Sequence, residues 1–293
     1  MTVINTNVAA TLTANALTKN ERAMNQAMER LSTGQRINSA GDDAAGLAIS
    51  SKMTSQVNGL NQAVRNVNDA ISMVQTADGA VVEIESMLQR MRELAVQARS
   101  ETNGATDRAA LELEFVALED GIDAIAQNTQ WNGVTLLNTD SGKTVVFQVG
   151  ANANQELTVI FQDFNTAAAS SSGGIFEGLD QSALGGTAAT DLDSATLDTT
   201  AGAEAAIARL DFAIEHVNSH RATLGSVISR LEYSADNLSN VSQNTSASRS
   251  RVLDADYATE TTELARTQII QQAGTAMLSQ ANQQAQSVLA LLK

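Results

Sequence analysis

Apolar residues recur along residues 53–98 at alternating steps of four and three. Met53, Val57, Leu60, Val64, Val67, Ile71 and Val74 come first; past a polar break at Asp78 follow Val81, Ile84, Leu88, Met91, Ala95 and Ala98. Within that stripe Leu60, Val67, Val74, Val81, Leu88 and Ala95 repeat every seven residues. Such a period keeps one narrow apolar seam facing partner helices, as in a coiled coil. No proline interrupts the stretch, and only Gly59 and Gly79 weaken it. As a single helix it would run roughly 70 Å at 1.5 Å per residue. That is too long to bury inside a globule and predicts the spine of a rod.

Similar stripes flank it. Val3, Ala10, Leu17, Met24 and Leu31 recur every seven residues, with Ala14 and Met28 in the intermediate turns. Residues 31–49 then form a breaker-rich link, with Gly34, Gly41, Gly46, Asn38 and Ser39. Asp42 or Asp43 there is a candidate cap for the long helix. A phosphate cradle at this link lacks both a GK[ST] motif and a preceding strand. After a turn at Asn103–Gly104, with Thr106 or Asp107 as the next cap, Leu111, Phe115, Leu118, Ile122 and Ile125 predict a helix antiparallel to the end of the spine. Trp131 precedes a tight turn at Asn132–Gly133 and is expected to plug the packing. KTVVFQV and ELTVIFQ alternate, predicting a β-hairpin over about 143–162. Residues 166–202, rich in Ala, Ser, Thr, Gly and Asp, read as a short exposed insert.

From about 203 the helical period returns through Ile207, Leu210, Ile214, Val217, Arg221, Leu224, Ile228, Leu231, Ala235 and Leu238. A charged link, RSRVLDADYATE, leads to a last stripe of Ile270, Gly274, Met277, Ala281, Ala285, Val288 and Leu292, spaced near an 11-residue repeat. Residues 1–41 hold four cations against two carboxylates, and 254–293 two against four, so the ends are natural mates. The expected fold is mainly α: a long antiparallel bundle, or coiled-coil rod, with one small β-hairpin and terminal helices that pair. Its expected domains are 1–42 with 254–293 for assembly, 43–165 with 203–253 for the rod, and the insert 166–202.

Composition agrees. Aromatics are 3% of 293 residues, proline and cysteine are absent, and the formal charge is −15. Thin helical seams do without aromatic bulk, long helices exclude proline, and a strongly acidic chain disfavours nucleic acid and anionic membranes. The absence of cysteine excludes disulfides and thiolate metal sites. MTVINTN lacks the parts of a cleavable signal, and no apolar run approaches a membrane span. His216 and His220 have i, i+4 metal-ligand spacing, but Val217 stands where the general base of an HExxH site would be; they read as a surface pair. No nucleophile-and-base constellation or cofactor motif appears, so neither enzyme chemistry nor a cofactor is expected. LQRMRELAVQAR, residues 88–99, places Gln89, Arg90, Arg92 and Glu93 outward beside Leu94, as either a solvated face or an interface anchor.

These segments together resemble bacterial flagellin. The likeness lies in VINTN, ERLSTGQRINSAGDDAAGLAI, LQRMRELAVQA, NTQWNGVTLLN, QVGAN, SRVLDADYATE and QIIQQAGTAMLSQANQQAQSVLALLK, and spans about 1–165 and 203–293. The resemblance implies an extracellular subunit of the flagellar filament, secreted through the flagellum's own channel and self-assembling through its terminal helices. Val3, Leu17, Leu31, Ile270, Met277, Val288 and Leu292 fall in those helices. It implies as partners other copies of the chain, an export chaperone at the C-terminal helix, hook-associated and cap proteins, and the innate immune flagellin receptor. For that receptor the matching positions are Gln89, Arg90, Leu94 and Glu114. Two alternatives stand beside it: a hook–filament junction protein, which shares related termini, and a cytosolic coiled-coil scaffold.

Overall fold

A computed structural model describes residues 7–138, 143–164 and 196–290. They hold the helices α1 (Val8–Thr33), α2 (Ala44–Arg99), α3 (Ala105–Asn128), α4 (Thr200–Leu253) and α5 (Tyr257–Ala290). Strands β1 (Gln130–Trp131) and β2 (Val134–Thr135) pair antiparallel, as do β3 (Lys143–Gln148) and β4 (Glu156–Phe161). The fold is mainly α with a small β-hairpin, as the periodicity predicts. The expected insert lies outside the described residues up to position 195. Two compact units are present, Met1–Asn58 with Ser242–Lys293, and Gly59–Val241.

The unit Gly59–Val241 is built on the seam of α2. Leu60, Val67, Val74, Val81, Leu88 and Ala95 are all buried, and Ala63, Ala70, Ala77, Ile84, Met91 and Ala98 form a second row beside them. α3 runs antiparallel to α2, because Gly121 faces Met87 while Glu114 meets Arg90. Phe115, Ile122 and Ala126 fill the groove between them. The cap of α3 differs from the expectation. Gly104 is the cap residue, and its N–H donates to the Asp107 carboxylate three residues on, at 2.9 Å, so Asp107 acts from inside the first turn.

The hairpin closes the same core. Val145 pairs with Val159 and Phe147 with Leu157. Alternation along β4 turns Leu157, Val159 and Phe161 inward. Asn132 and Gly133 have φ of 49° and 76°, the left-handed pair that a two-residue turn between β1 and β2 demands. Trp131 is half-buried against the core, and Leu136 and Leu137 beyond it are fully enclosed.

α4 contributes two heptad rows. Ala203, Leu210, Val217, Leu224, Leu231 and Leu238 form one; Ala206, Ala213, His220 and Val227 form the other, and all are buried. His220 therefore corrects two expectations. It is not part of a surface pair, and it holds the seam position that periodicity assigned to Arg221. The ring meets Phe164 edge-on with centroids 5.6 Å apart, and its buried Nε2 has no hydrogen-bond partner. Arg221 sits at the seam's edge and binds Glu85 at 2.7 Å and Asp78 at 3.3 Å.

Those carboxylates begin a ladder. Asp78, Glu85, Arg92 and Arg99 are spaced by seven on α2. Across it Arg221 takes the first two, Asp211 pairs with Arg92, and Glu204 meets Arg99 at 2.9 Å. Flanking charges of this kind set register and antiparallel sense in helix pairs. The outer pairs are about half exposed, so solvent screens them and they serve register more than stability.

Burial pushes His220 down to about 4 from an ordinary 6.5, with Asp78 pulling weakly the other way. Between these values the unfolded chain takes a proton that the folded one refuses, so stability falls as pH drops from 6.5 toward 4. The expected loss is up to ~3 kcal/mol. Urea melts at pH 7 and pH 4.5 measure it, and His220→Phe should flatten the difference.

Candidate functional site

In the unit formed by the chain's two ends, α1 and α5 pair antiparallel. The Asn7 side-chain amide donates to the Ala281 carbonyl at 3.2 Å, that of Asn20 to the Thr267 carbonyl at 2.8 Å and to Gln271 Oε1 at 3.2 Å. Arg30 Nη1 donates to Glu260 Oε1 at 3.1 Å, the only ion pair between the two helices among the described residues. Each contact lies further toward the N-terminus of one helix as it moves toward the C-terminus of the other.

The facing residues obey a strict heptad. Ala10, Thr13, Leu17, Asn20, Met24, Ala27 and Leu31 are buried or half-buried on α1. Glu260, Leu264, Thr267, Gln271, Gly274, Leu278 and Ala281 answer them on α5. This seam is short of bulk. Two of its α5 positions, Glu260 and Thr267, are buried polar groups, while on α1 only Ala27 is fully buried. At Gly274 an added Cβ would stand 2.9 Å from Leu17 Cδ1, so the missing side chain lets the helices approach.

Other large apolar residues point away from the seam. Val8, Leu12 and Met28 are exposed on α1, and Tyr257, Ile269, Ile270 and Met277 on α5. Periodicity anticipated Ala10, Leu17, Met24 and Leu31 as one row of α1, and they are. For α5 the expected stripe needs correction: Gly274 and Ala281 are in the seam, but Ile270 is 43% and Met277 59% exposed. The heptad through Glu260, Leu264, Thr267, Gln271, Gly274 and Leu278 makes the contact instead, and it completes hydrogen bonds and one ion pair with α1. A stripe judged by hydrophobicity alone misses that. Val3 and Leu292 lie outside the described residues, and Val288 is part of the α5 helix.

The links beside this pair are knotted together by hydrogen bonds. The Arg36 N–H donates to the Leu253 carbonyl at 2.7 Å and that of Ala255 to Gly34 at 2.9 Å, around a bridge between Gln35 and Asp254. Asp43 caps α2 by accepting from the Gly46 N–H at 2.8 Å. Asp42 gathers the Ser39 and Asn38 N–H groups and the Gln26 amide. The Ser39 N–H above all, then the Gln26 amide, hold its carboxyl below the usual range.

In the other unit, Gln89, Arg90 and Glu114 share a surface. The Arg90 guanidinium meets Glu114 Oε1 at 2.8 Å and Glu93 at 2.9 Å, while Gln89 donates to Glu85 at 3.2 Å. Leu94 does not join them. It is 1% exposed, because its position follows Met91 by one helical turn and enters the core.

None of this is catalytic geometry. His216 stacks on Phe212 with centroids 4.2 Å apart, while His220 is enclosed. No group of three or more His, Asp or Glu side chains suited to a metal occurs among the described residues. No described helix is long and apolar enough to cross a membrane. Helical seams with outward apolar faces on the paired ends define a helical structural protein.

Family comparisons give that class its identity. The bacterial flagellin N-terminal helical region matches residues 4–141, and the bacterial flagellin C-terminal helical region matches 207–292. A flagellin of Bacillus subtilis is 44% identical over 99% of both chains. A flagellin of Halalkalibacterium halodurans is 46% identical over 92% of this chain and 91% of its own. A Vibrio parahaemolyticus structure assigned to a flagellar hook-associated protein covers 73% of this chain with a TM-score of 0.58 at 12% identity, a likeness of fold alone. The chain belongs to the bacterial flagellin family. It is a structural subunit of the flagellar filament, not an enzyme, and it polymerises with copies of itself.

Proposed function

We propose that the ends of the chain, residues 1–42 and 254–293, are the assembly region, and that their outward faces are completed only by other copies. The observation that carries this reading is the distribution of apolar residues on the α1–α5 pair: the seam's Leu17, Met24, Leu31, Leu264 and Leu278 are only half-buried among small and polar residues, and Leu12, Ile269, Ile270 and Met277 lie outside it. Within one chain such a pair buries too little apolar surface to offset the ordering of long helices. A polymer covers the outer faces several times over, and binding that favours the folded form stabilises it by mass action. The remaining helical segments, 43–165 and 203–253, serve as the rod that carries a short exposed insert.

The same weakness suits export. A chain with no cysteine and a marginal terminal pair is easily kept unfolded for passage through the flagellar channel. An export chaperone would cover the apolar residues of α5 beforehand, and hook-associated and cap proteins would meet the same terminal helices at the ends of the polymer. The immune flagellin receptor would read Gln89, Arg90 and Glu114, with Leu94 acting from beneath by fixing the spacing of α2 and α3. Arg90 offers a planar, half-exposed guanidinium already oriented by Glu114 and Glu93.

Ile270→Asp places a charge on the outer face of α5 without touching the seam. The monomer's helix content and melt should be unchanged, whereas the critical concentration for polymerisation should rise at least ~100-fold, the factor for roughly 3 kcal/mol. Sedimentation and electron microscopy after salting-out read the result, and normal filaments from Ile270→Asp would refute the assignment of that face. Arg90→Asp should leave the melt unchanged and weaken receptor activation at matched dose in a reporter-cell assay. Equal signalling by wild type and variant removes Arg90 from the receptor surface.

A further inference from the structure

The chain has eight methionines and no cysteine, so thioethers are its sulfur chemistry. Their settings differ sharply. Met91 is fully enclosed and Met73 is 6% exposed. Met24, Met53 and Met87 are half-buried. Met28 and Met277 alone among the described methionines are open, at 52% and 59%, and each lies on one of the terminal helices. On α5, Met277 follows the exposed Ile270 by seven residues, which places both on one outer face. On α1, Met28 adjoins the buried seam residue Ala27.

We infer that Met28 and Met277 are oxidation-sensitive modification sites, at which a peroxide acting on the unassembled chain blocks filament growth. The inference rests on the reading that the outer faces of α1 and α5 meet other copies. In the reaction the thioether sulfur attacks one peroxide oxygen and the O–O bond breaks. Sulfur becomes a sulfoxide, oxidised by two electrons, and with hydrogen peroxide the other oxygen leaves as water. A flexible apolar side chain is thereby replaced by a polar, chiral one. In the single chain both sulfoxides stay hydrated, so its fold is little affected. In a polymer each must be desolvated against an apolar neighbour, which opposes association. The lesion is reversible, because sulfoxide reductases restore the thioether.

The test treats the full-length monomer with hydrogen peroxide and maps each methionine by peptide mass spectrometry. Met28 and Met277 should oxidise well before Met73 and Met91, with far-ultraviolet circular dichroism unchanged. Polymerisation of the oxidised chain should require ~10-fold more protein per sulfoxide, the factor for one polar group desolvated at an interface. Incubation with both methionine sulfoxide reductases should restore assembly, and in preformed filaments the two residues should be protected. Met28→Leu/Met277→Leu should polymerise equally with and without peroxide. Oxidised wild type that polymerises like untreated protein overturns the inference, as does a reductase-reversible block that persists in the double variant. An untreated chain that fails to polymerise would instead defeat the underlying assembly reading.

Discussion

Two helices that meet along a heptad must choose which of their residues to bury, and among the described residues those that α1 and α5 bury fully, Ala27, Glu260 and Thr267, are small or polar. Gly274 lets the helices approach, while Asn20, Gln271 and the Arg30–Glu260 pair fix register and direction. Removing polar groups from water returns little net free energy. The contact therefore specifies a partner more than it stabilises one. What it leaves outside, Leu12, Ile269, Ile270 and Met277, is the part with hydrophobic driving force. On the proposed reading, self-association follows from that distribution: each chain offers an ordered frame and relies on copies of itself for burial.

The unit Gly59–Val241 follows the opposite rule. Its α2 and α4 seams are filled by Leu, Val, Ile and Met, sealed by Phe115, Phe161 and Phe164, and flanked by charges at seven-residue spacing. It has a core of its own and does not depend on neighbours for burial. One chain thus combines a bundle with a filled core and ends whose seam is only half-buried.

Much of this was legible in the sequence because the seven-residue period is a physical requirement of long paired helices. The α2 seam, the hairpin strands and the Asn132–Gly133 turn are readable from the sequence, as is a cap for α2 at Asp42 or Asp43, of which the structure takes Asp43. His220 was not, since a polar residue in a heptad slot looks like a surface residue until its neighbours are known. The burial of Leu94 and the division of the α5 stripe escape periodicity for a related reason. Hydrophobicity ranks residues by their cost in water, whereas contact is decided by how two particular surfaces fit. The spacing of Asp78, Glu85, Arg92 and Arg99 did carry a signal for the charged ladder, visible only when charges are searched for periods as apolar residues are.

The central claim is that the terminal pair lacks sufficient burial in one chain and acquires it from other copies. Amide hydrogen exchange of α1 and α5, compared between monomer and filament, tests it most directly. The account predicts rapid exchange along both helices in the monomer, slow exchange in α2 through residues 67–98, and strong new protection of α1 and α5 upon polymerisation. Terminal helices already as protected in the monomer as the α2 seam, and unchanged in the filament, would contradict it.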